Sequence, residues 1–156
     1  MTSNSKISFF LITLVLTFII GSCNKNNDVI PDVYVDFTLD LNDPEFLDLS
    51  SLGGSAIVDE KTNNWGIRAA GYDQNGIIIY SGLDEFYAYD RTCPHDYSVS
   101  GASIKINVDF IKAICPSCST SYELAAYGTP ASGVGRYPLK NYKTSFDGRF
   151  VRVWNY

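Results

Sequence analysis

The chain has 156 residues, which is the size of one ordinary domain. Seventeen acidic side chains outnumber twelve basic ones, and the net charge at pH 7 is −5. Because nucleic-acid binding needs a basic face to meet the phosphates, this balance argues against nucleic acid as a partner.

The first predicted element is an export signal. Lys6 is the only charge before an apolar run from Ile7 to Ile20, which is broken only by Ser and Thr. The run is shorter than the roughly 20 residues that span a membrane as a helix, so it favours a signal peptide. The next residues, Gly21-Ser22-Cys23, complete a sequence that resembles the lipobox of bacterial lipoproteins, whose cysteine carries the lipid.

This pattern divides the chain into three parts. We predict a lipoprotein signal peptide over 1–22, a lipidated tether over 23–32, and one folded domain over 33–156. The tether is polar and lacks hydrophobic periodicity from Asn24 to Pro31. We expect the protein in the bacterial cell envelope, held to a membrane through lipid on Cys23, with its domain outside the cytoplasm.

The domain itself reads as strands joined by turns. Apolar and polar residues alternate from Val33 to Leu41, which predicts a half-buried strand. Two hairpins are predicted, one around Asp73-Gln74-Asn75-Gly76 and one around Asp147-Gly148. Helical periodicity is limited to Asp43–Leu52, where Phe46, Leu49 and Leu52 are expected on one face. The fold class is therefore all-β, a small antiparallel sandwich or barrel.

Two predicted loops each follow a strand and begin with cysteine. They are Cys93-Pro94-His95 and Cys115-Pro116-Ser117-Cys118. Lipidation of Cys23 leaves three cysteines, and an odd number argues against a framework made only of disulfides. Thiolate and imidazole are ligands for iron–sulfur clusters or zinc, so we predict a metal site formed by Cys93, His95, Cys115 and Cys118.

This two-loop pattern resembles the Rieske [2Fe–2S] family. Rieske domains carry Cys-x-His in one loop and Cys-x-x-His in the next, and each loop gives a cysteine to one iron and a histidine to the other. The resemblance extends over most of residues 33–156, including Asp84–Thr92 before the first loop and Gly128–Gly133 after the second. The last histidine of the pattern is replaced here by Cys118.

The resemblance implies a Rieske-like fold with a two-loop metal-binding subdomain, a [2Fe–2S] cluster and an electron-transfer function with a redox partner protein. It also implies that Thr120 and Tyr122 donate hydrogen bonds to the cluster. A third thiolate adds negative charge, so the reduction potential is expected to lie below the usual Rieske range.

Two alternatives remain open at this stage. The same four residues suit one tetrahedral Zn²⁺, and a metal-free fold with a Cys115–Cys118 or Cys93–Cys115 disulfide is the third interpretation. Met1 to Lys6 contains no twin-arginine pair, and export of an unfolded chain favours zinc or no metal over a cluster built before export. Either alternative would make the chain a binding or structural lipoprotein.

Catalytic patterns are weak. His95 is the only histidine, so it would have to serve any Ser–His–Asp arrangement, and a non-haem iron site with two histidines is excluded. We predict no catalytic residues, and we expect an electron carrier or binding module rather than an enzyme.

Overall fold

The computed structural model describes residues 28–62, 64–68 and 70–156, without the side chains of residues 67 and 68. The predicted signal peptide and Cys23 lie outside the described residues. Within the described part of the chain, no helix has the length and apolar character needed to cross a membrane.

The regular elements of the described residues are mainly strands, together with one short α-helix and three 3₁₀ turns. In chain order these are β1 (Asp36–Asp40), a turn at Pro44–Ser50, β2 (Ser55–Val58), β3 (Trp65–Arg68), a turn at Tyr72–Gln74, β4 (Ile77–Ser81), β5 (Phe86–Asp90), α1 (Pro94–Ser100), β6 (Asn107–Asp109), β7 (Lys112–Ile114), β8 (Ser121–Glu123), a turn at Leu124–Ala126, β9 (Thr129–Ser132), β10 (Asn141–Phe146) and β11 (Phe150–Trp154).

The strands make two antiparallel sheets. The large sheet has the order β2-β4-β5-β10-β11-β1-β3, and the small sheet has the order β6-β7-β8-β9. The prediction of an all-β antiparallel fold is confirmed. Two strands of a separate small sheet, β6 and β7, lie between the two predicted loops along the chain, since the first loop follows β5 and the second follows β7.

Alternation builds the large sheet as the sequence predicts. Phe37 and Leu39 point into the core of this sheet, and their neighbours along β1 are half-buried. The β10–β11 hairpin at Asp147-Gly148 is confirmed, with Gly148 at a φ of 104° that favours glycine. The core of the large sheet is apolar, and burial of that surface is the main source of its stability.

The predicted hairpin at Asp73–Gly76 is wrong. β3 pairs with β1 at the edge of the large sheet, whereas β4 pairs with β2 and β5. The intervening segment instead wraps around the end of β5, where the backbone N–H of Arg91 donates to the carbonyl of Gly76 at 3.0 Å. A turn motif in the sequence indicates that the chain bends, but contacts between residues far apart in the sequence determine which strands pair.

The predicted helical segment is a 3₁₀ turn over Pro44–Ser50, which begins after an Asp43 side chain that accepts from the backbone N–H of Glu45. Phe46 and Leu49 are buried as expected, but Leu52 is 68% exposed, so its place on the same face is wrong. The reason is that the turn ends at Ser50, before Leu52.

The last residues of the predicted tether contact the domain. Ile30 is 1% exposed, and the side chain of Lys140, also buried, donates to its carbonyl. Lys140 Nζ further pairs with Asp28 at 3.2 Å and with Asp32 at 2.6 Å. Residues 28–32 are therefore fixed against the domain by one buried ammonium group between two carboxylates.

Candidate metal centre

The first cysteine loop is held by a short helix. Cys93 is the N-cap of α1, Pro94 occupies its first turn, and Gly101 ends it in the left-handed conformation. Proline at the start and glycine at the end are the residues that such a helix favours. The backbone N–H of Cys93 donates to the carbonyl of Ile104 at 2.9 Å, which fixes the fully buried cysteine beside the small sheet.

A buried carboxylate anchors the approach to this loop. Asp90, at the end of β5, is fully buried and accepts three hydrogen bonds. The donors are the backbone N–H of Tyr72 at 2.7 Å, the backbone N–H of Thr92 at 2.9 Å and the hydroxyl of Tyr142 at 2.7 Å. Because Thr92 immediately precedes Cys93, this network fixes the backbone from which the first thiol projects.

The second loop closes on itself. The backbone N–H of Cys115 donates to the carbonyl of Thr120 at 2.9 Å, and the N–H of Ser119 donates back to Cys115 at 3.0 Å. Ser119 adopts a positive φ of 58°, which lets the chain reverse directly after Cys118. Cys115 is thereby buried at the base of the loop, and Cys118 is partly exposed at its rim.

The fold brings the three thiols together with one carboxylate. Single donor atoms of Cys93, Asp96, Cys115 and Cys118 all lie within 4.8 Å of one another. The sulfurs of Cys93 and Cys118 are 3.7 Å apart, and Cys115 Sγ is 3.0 Å from Asp96 Oδ2. Three sulfurs and one oxygen in this space suit a thiolate-binding metal such as iron or zinc.

His95 is not a member of this group. Its side chain is half-buried on the first turn of α1, and its carbonyl accepts from the Ser98 hydroxyl at 2.8 Å. Within the described residues, the ring of His95 makes no hydrogen bond or ion pair. The proposed ligand role of His95 therefore stays a prediction from the sequence.

Asp96 is the residue that sequence reasoning missed. The spacing of the cysteines and the histidine gives no indication of a carboxylate ligand at this position. The signal lies in the helix start: with Cys93 as N-cap, Asp96 is the third helical residue, whose side chain reaches back towards the N-cap. A prediction of a loop without a helix at Cys93-Pro94-His95 does not include this geometry.

Hydroxyl groups line the thiols. Cys118 Sγ lies 3.2 Å from Thr120 Oγ1, and Cys93 Sγ lies 3.6 Å from the hydroxyl of Tyr122. Thr120 Oγ1 also accepts from the backbone N–H of Gly135 at 2.9 Å. Since that contact uses an acceptor position, the proton of Thr120 stays available for donation to a thiolate at Cys118.

A glycine is required where the 133–135 loop lies over this site. A Cβ atom at Gly135 would stand 2.6 Å from Thr120 Cγ2 and 3.1 Å from the Tyr122 hydroxyl, closer than side chains tolerate. The loop can therefore approach the hydroxyls only without a side chain at this position.

Burial sets the protonation of the donors. It raises the pKa of Cys115 to about 11, and it raises the pKa of Cys93 above its ordinary value. Burial would also raise the pKa of Asp96, but hydrogen bonds from Cys115, from Cys93 and from Ser117 lower it to about 2. Without a metal the two thiols are neutral at pH 7 and Asp96 is charged, so a metal ion would displace thiol protons on binding.

No family model matches the chain, and no curated protein matches it. Among solved structures, one similar chain belongs to the complex of reduced oxygenase and oxidized ferredoxin in carbazole 1,9a-dioxygenase, with 16% identity, a TM-score of 0.46, and coverage of 80% of this chain and 94% of that one. Another is the ferredoxin of carbazole 1,9a-dioxygenase from Nocardioides aromaticivorans IC177, with 15% identity, a TM-score of 0.45, and coverage of 80% and 100%. The assignment of the site depends on its own geometry rather than on likenesses of this size.

Proposed function

We propose that this chain is a membrane-anchored iron–sulfur protein that transfers single electrons. The observation that carries the proposal is the convergence of three thiols, from two loops that adjoin different sheets, within 4.8 Å of one another. Their sequence pattern, Cys-x-His followed by Cys-x-x-Cys, supports a variant of the Rieske ligand pattern.

The predicted ligands are Cys93, His95, Cys115 and Cys118. A [2Fe–2S] cluster held by them would supply reversible uptake of one electron. The chain's part is to fix the donors: α1 and the Asp90 network place Cys93, and the closed second loop places the other two thiols.

The hydroxyls of Thr120 and Tyr122 are placed to stabilise negative charge on the sulfurs. Hydrogen bonds of this kind favour the reduced state and raise a potential. The third thiolate acts in the opposite direction, because more negative charge opposes the arrival of an electron. We expect the potential to lie between the Rieske range, about −150 to +300 mV, and the value of about −400 mV for all-cysteine plant-type ferredoxins.

We expect a redox partner to approach the exposed side of the thiol cluster. Cys93 and Cys115 are fully buried, whereas Cys118 and His95 are partly exposed. Val134, between two glycines that lie against Thr120, is 57% exposed. An exposed apolar side chain beside the partly exposed Cys118 favours a transient protein partner that docks over Cys118.

The cluster is tested on protein purified from its native host. We expect equal amounts of iron and acid-labile sulfide, visible absorption, and a paramagnetic signal on reduction. In Cys118→His the cluster should survive with a higher potential, because one negative charge is removed, whereas Cys118→Ala should lose most of the iron. Colourless wild-type protein with one zinc per chain would reject electron transfer.

Membrane anchoring through Cys23 is the second part of the proposal, and it rests on the lipobox-like sequence alone. Cys23→Ser should release the protein from the membrane fraction, because its lipid attachment is lost. Persistent membrane association of this variant, measured by fractionation, would contradict the lipid anchor without affecting the proposal for the metal.

A single Zn²⁺ that stabilises the two loops is the second candidate function, and one observation favours it. In a tetrahedral site with bonds of about 2.3 Å, two sulfurs stand about 3.8 Å apart. The 3.7 Å between Cys93 and Cys118 agrees with that spacing. Metal analysis of the native protein separates this candidate from the cluster.

A further inference from the structure

The four converging donors imply a ligand set that differs from the one predicted from the sequence. A tetrahedral metal with bonds of about 2.3 Å to sulfur and 2.0 Å to oxygen spaces its donors by about 3.5 to 3.8 Å. Cys93 and Cys118 already have this spacing, and Asp96 Oδ2 is 3.0 Å from Cys115 Sγ. Relative to Cys115, Asp96 Oδ2 therefore needs to move by only about half an ångström to reach the spacing of two donors on one metal, and all four donors already lie within 4.8 Å of one another.

Helix geometry separates Asp96 from His95. Successive residues of an α-helix are turned by about 100° from each other, so neighbours do not face the same direction. Asp96 faces Cys93 and the second loop, while His95 lies outside the group of donors. The hydrogen bond from Tyr97 N–H to the Cys93 carbonyl, at 3.2 Å, holds the first turn of α1 in this geometry.

A hydrogen bond also orients Asp96, in the way that outer partners orient metal-binding carboxylates. Ser117 Oγ donates to Asp96 Oδ1 at 2.9 Å, which leaves Oδ2 directed at the sulfurs. An outer partner on one oxygen fixes the orientation of a ligand and strengthens its binding. Ser117 lies between the two cysteines of the second loop, so the same contact ties α1 to that loop.

The total negative charge of this ligand set is one that metal sites in proteins tolerate. Three thiolates and one carboxylate carry the same total charge as four thiolates, a ligand set that both zinc and iron–sulfur sites use. Hydrogen-bond donors near the ligands offset this negative charge, since the hydroxyls of Thr120 and Tyr122 lie against two of the sulfurs. The rim position of Asp96, which is only partly buried, reduces the cost of its charge further.

We propose that Asp96, rather than His95, completes the metal site, with Cys93, Cys115 and Cys118 as the other three ligands. This inference rests on the proposed metal-binding function but not on the identity of the metal. His95 is then a partly exposed residue that does not bind the metal. The site differs from the Rieske pattern at both histidine ligands, instead of at one.

The experiment compares matched variants of the full-length chain in detergent, freed of metal, reduced and titrated with Co²⁺. Bound Co²⁺ gives visible bands that report its geometry and ligands. Asp96→Asn should weaken Co²⁺ binding by about tenfold or more, the loss typical of a damaged ligand shell. His95→Asn should stay within about twofold of wild type, and so should Asp109→Asn, a control carboxylate exposed on β6.

The proposal is overturned if His95→Asn weakens Co²⁺ binding as much as Asp96→Asn does, or if Asp96→Asn binds like wild type. Far-UV circular dichroism of the metal-free proteins checks their folding. Should Asp96→Asn not fold, Ser117→Ala replaces it and is expected to weaken binding by about tenfold, the loss typical of a missing outer partner; unchanged binding then overturns the proposal. Native wild-type protein with zinc and no iron would reject electron transfer, while the two variants would still decide the ligand.

Discussion

The two sheets have cores of different chemistry. The hydrophobic cluster of the large sheet consists of aliphatic and aromatic side chains, and the phenol of Tyr142 is its polar group. The strands of this sheet also bury Ser81 and Asp90 at their ends. The core beneath the small sheet instead contains the thiols of Cys93 and Cys115 and several tyrosines, among them Tyr89 and Tyr122. Ser121 Oγ, on β8, is buried there without a hydrogen-bond partner in the described part of the chain.

This difference indicates how each region is stabilised. Burial of apolar surface stabilises the large sheet without any ligand. The small sheet has strands of three or four residues, and its core includes polar atoms that gain little from burial. A metal that binds thiolates from both loops would supply the missing stability, because binding free energy in such sites is folding free energy.

The largest expected effect is in the large sheet. Phe37 on β1 is 1% exposed, and Phe37→Ala should lower the free energy of unfolding by about 3 to 5 kcal/mol. Chemical denaturation monitored by tryptophan fluorescence measures the change. We expect the same loss with and without metal. A loss confined to metal-free protein would show that the large sheet is not independent of the site.

Metal removal should have the next largest effect, and it should be confined to the small sheet. A ligand at 100 times its dissociation constant stabilises the folded state by about 2.7 kcal/mol. After chelation, hydrogen exchange should accelerate at the amides of Cys93 and Cys115, whose bonds hold the loops. The amides of Leu39 and Val151, paired across β1 and β11, should keep their rates. Uniform acceleration in both sheets would contradict the comparison.

A smaller effect is expected at the junction of the two regions. Tyr142→Phe removes the hydroxyl that donates to buried Asp90, at a cost of about 1 to 3 kcal/mol. Because Asp90 also holds Thr92, the loss should reach the Cys93 amide as well as the large sheet. Hydrogen exchange on the variant measures both. If only the large sheet responds, the Asp90 network does not connect the two regions.

Short-range patterns in the sequence predicted three neighbouring strands of the large sheet, β1, β10 and β11. Alternation from Val33 to Leu41 and the Asp147-Gly148 turn each specify a structure within a few residues. The hairpin prediction at Asp73–Gly76 failed because strand partners are chosen across long distances in the chain. β3 found its partner in β1, nearly thirty residues earlier, and the turn residues instead cover the end of β5.

The sequence predicted which cysteines form the site, but it did not predict how the side chains around them are arranged. Cys93, Cys115 and Cys118 could be grouped from their spacing and residue types, and the fold brings them together. The position of Asp96 could not be seen in that spacing, because it depends on a helix that starts at Pro94 and turns the neighbouring side chains apart. Because neighbouring side chains of a helix point in different directions, the helix brings the Asp96 carboxylate, and not the His95 imidazole, next to the three thiols.

The contact between Lys140 and residues 28–32 has a consequence for encounter rates. Only four residues lie between Cys23 and Asp28, the first residue held by Lys140, and the five Cα-to-Cα steps of an extended chain between them reach at most about 18 Å. On a chain lipidated at Cys23, the domain would be confined to a thin layer above the bilayer. A partner in the same membrane would then meet it by lateral diffusion, at a high effective concentration that requires no strong docking interface.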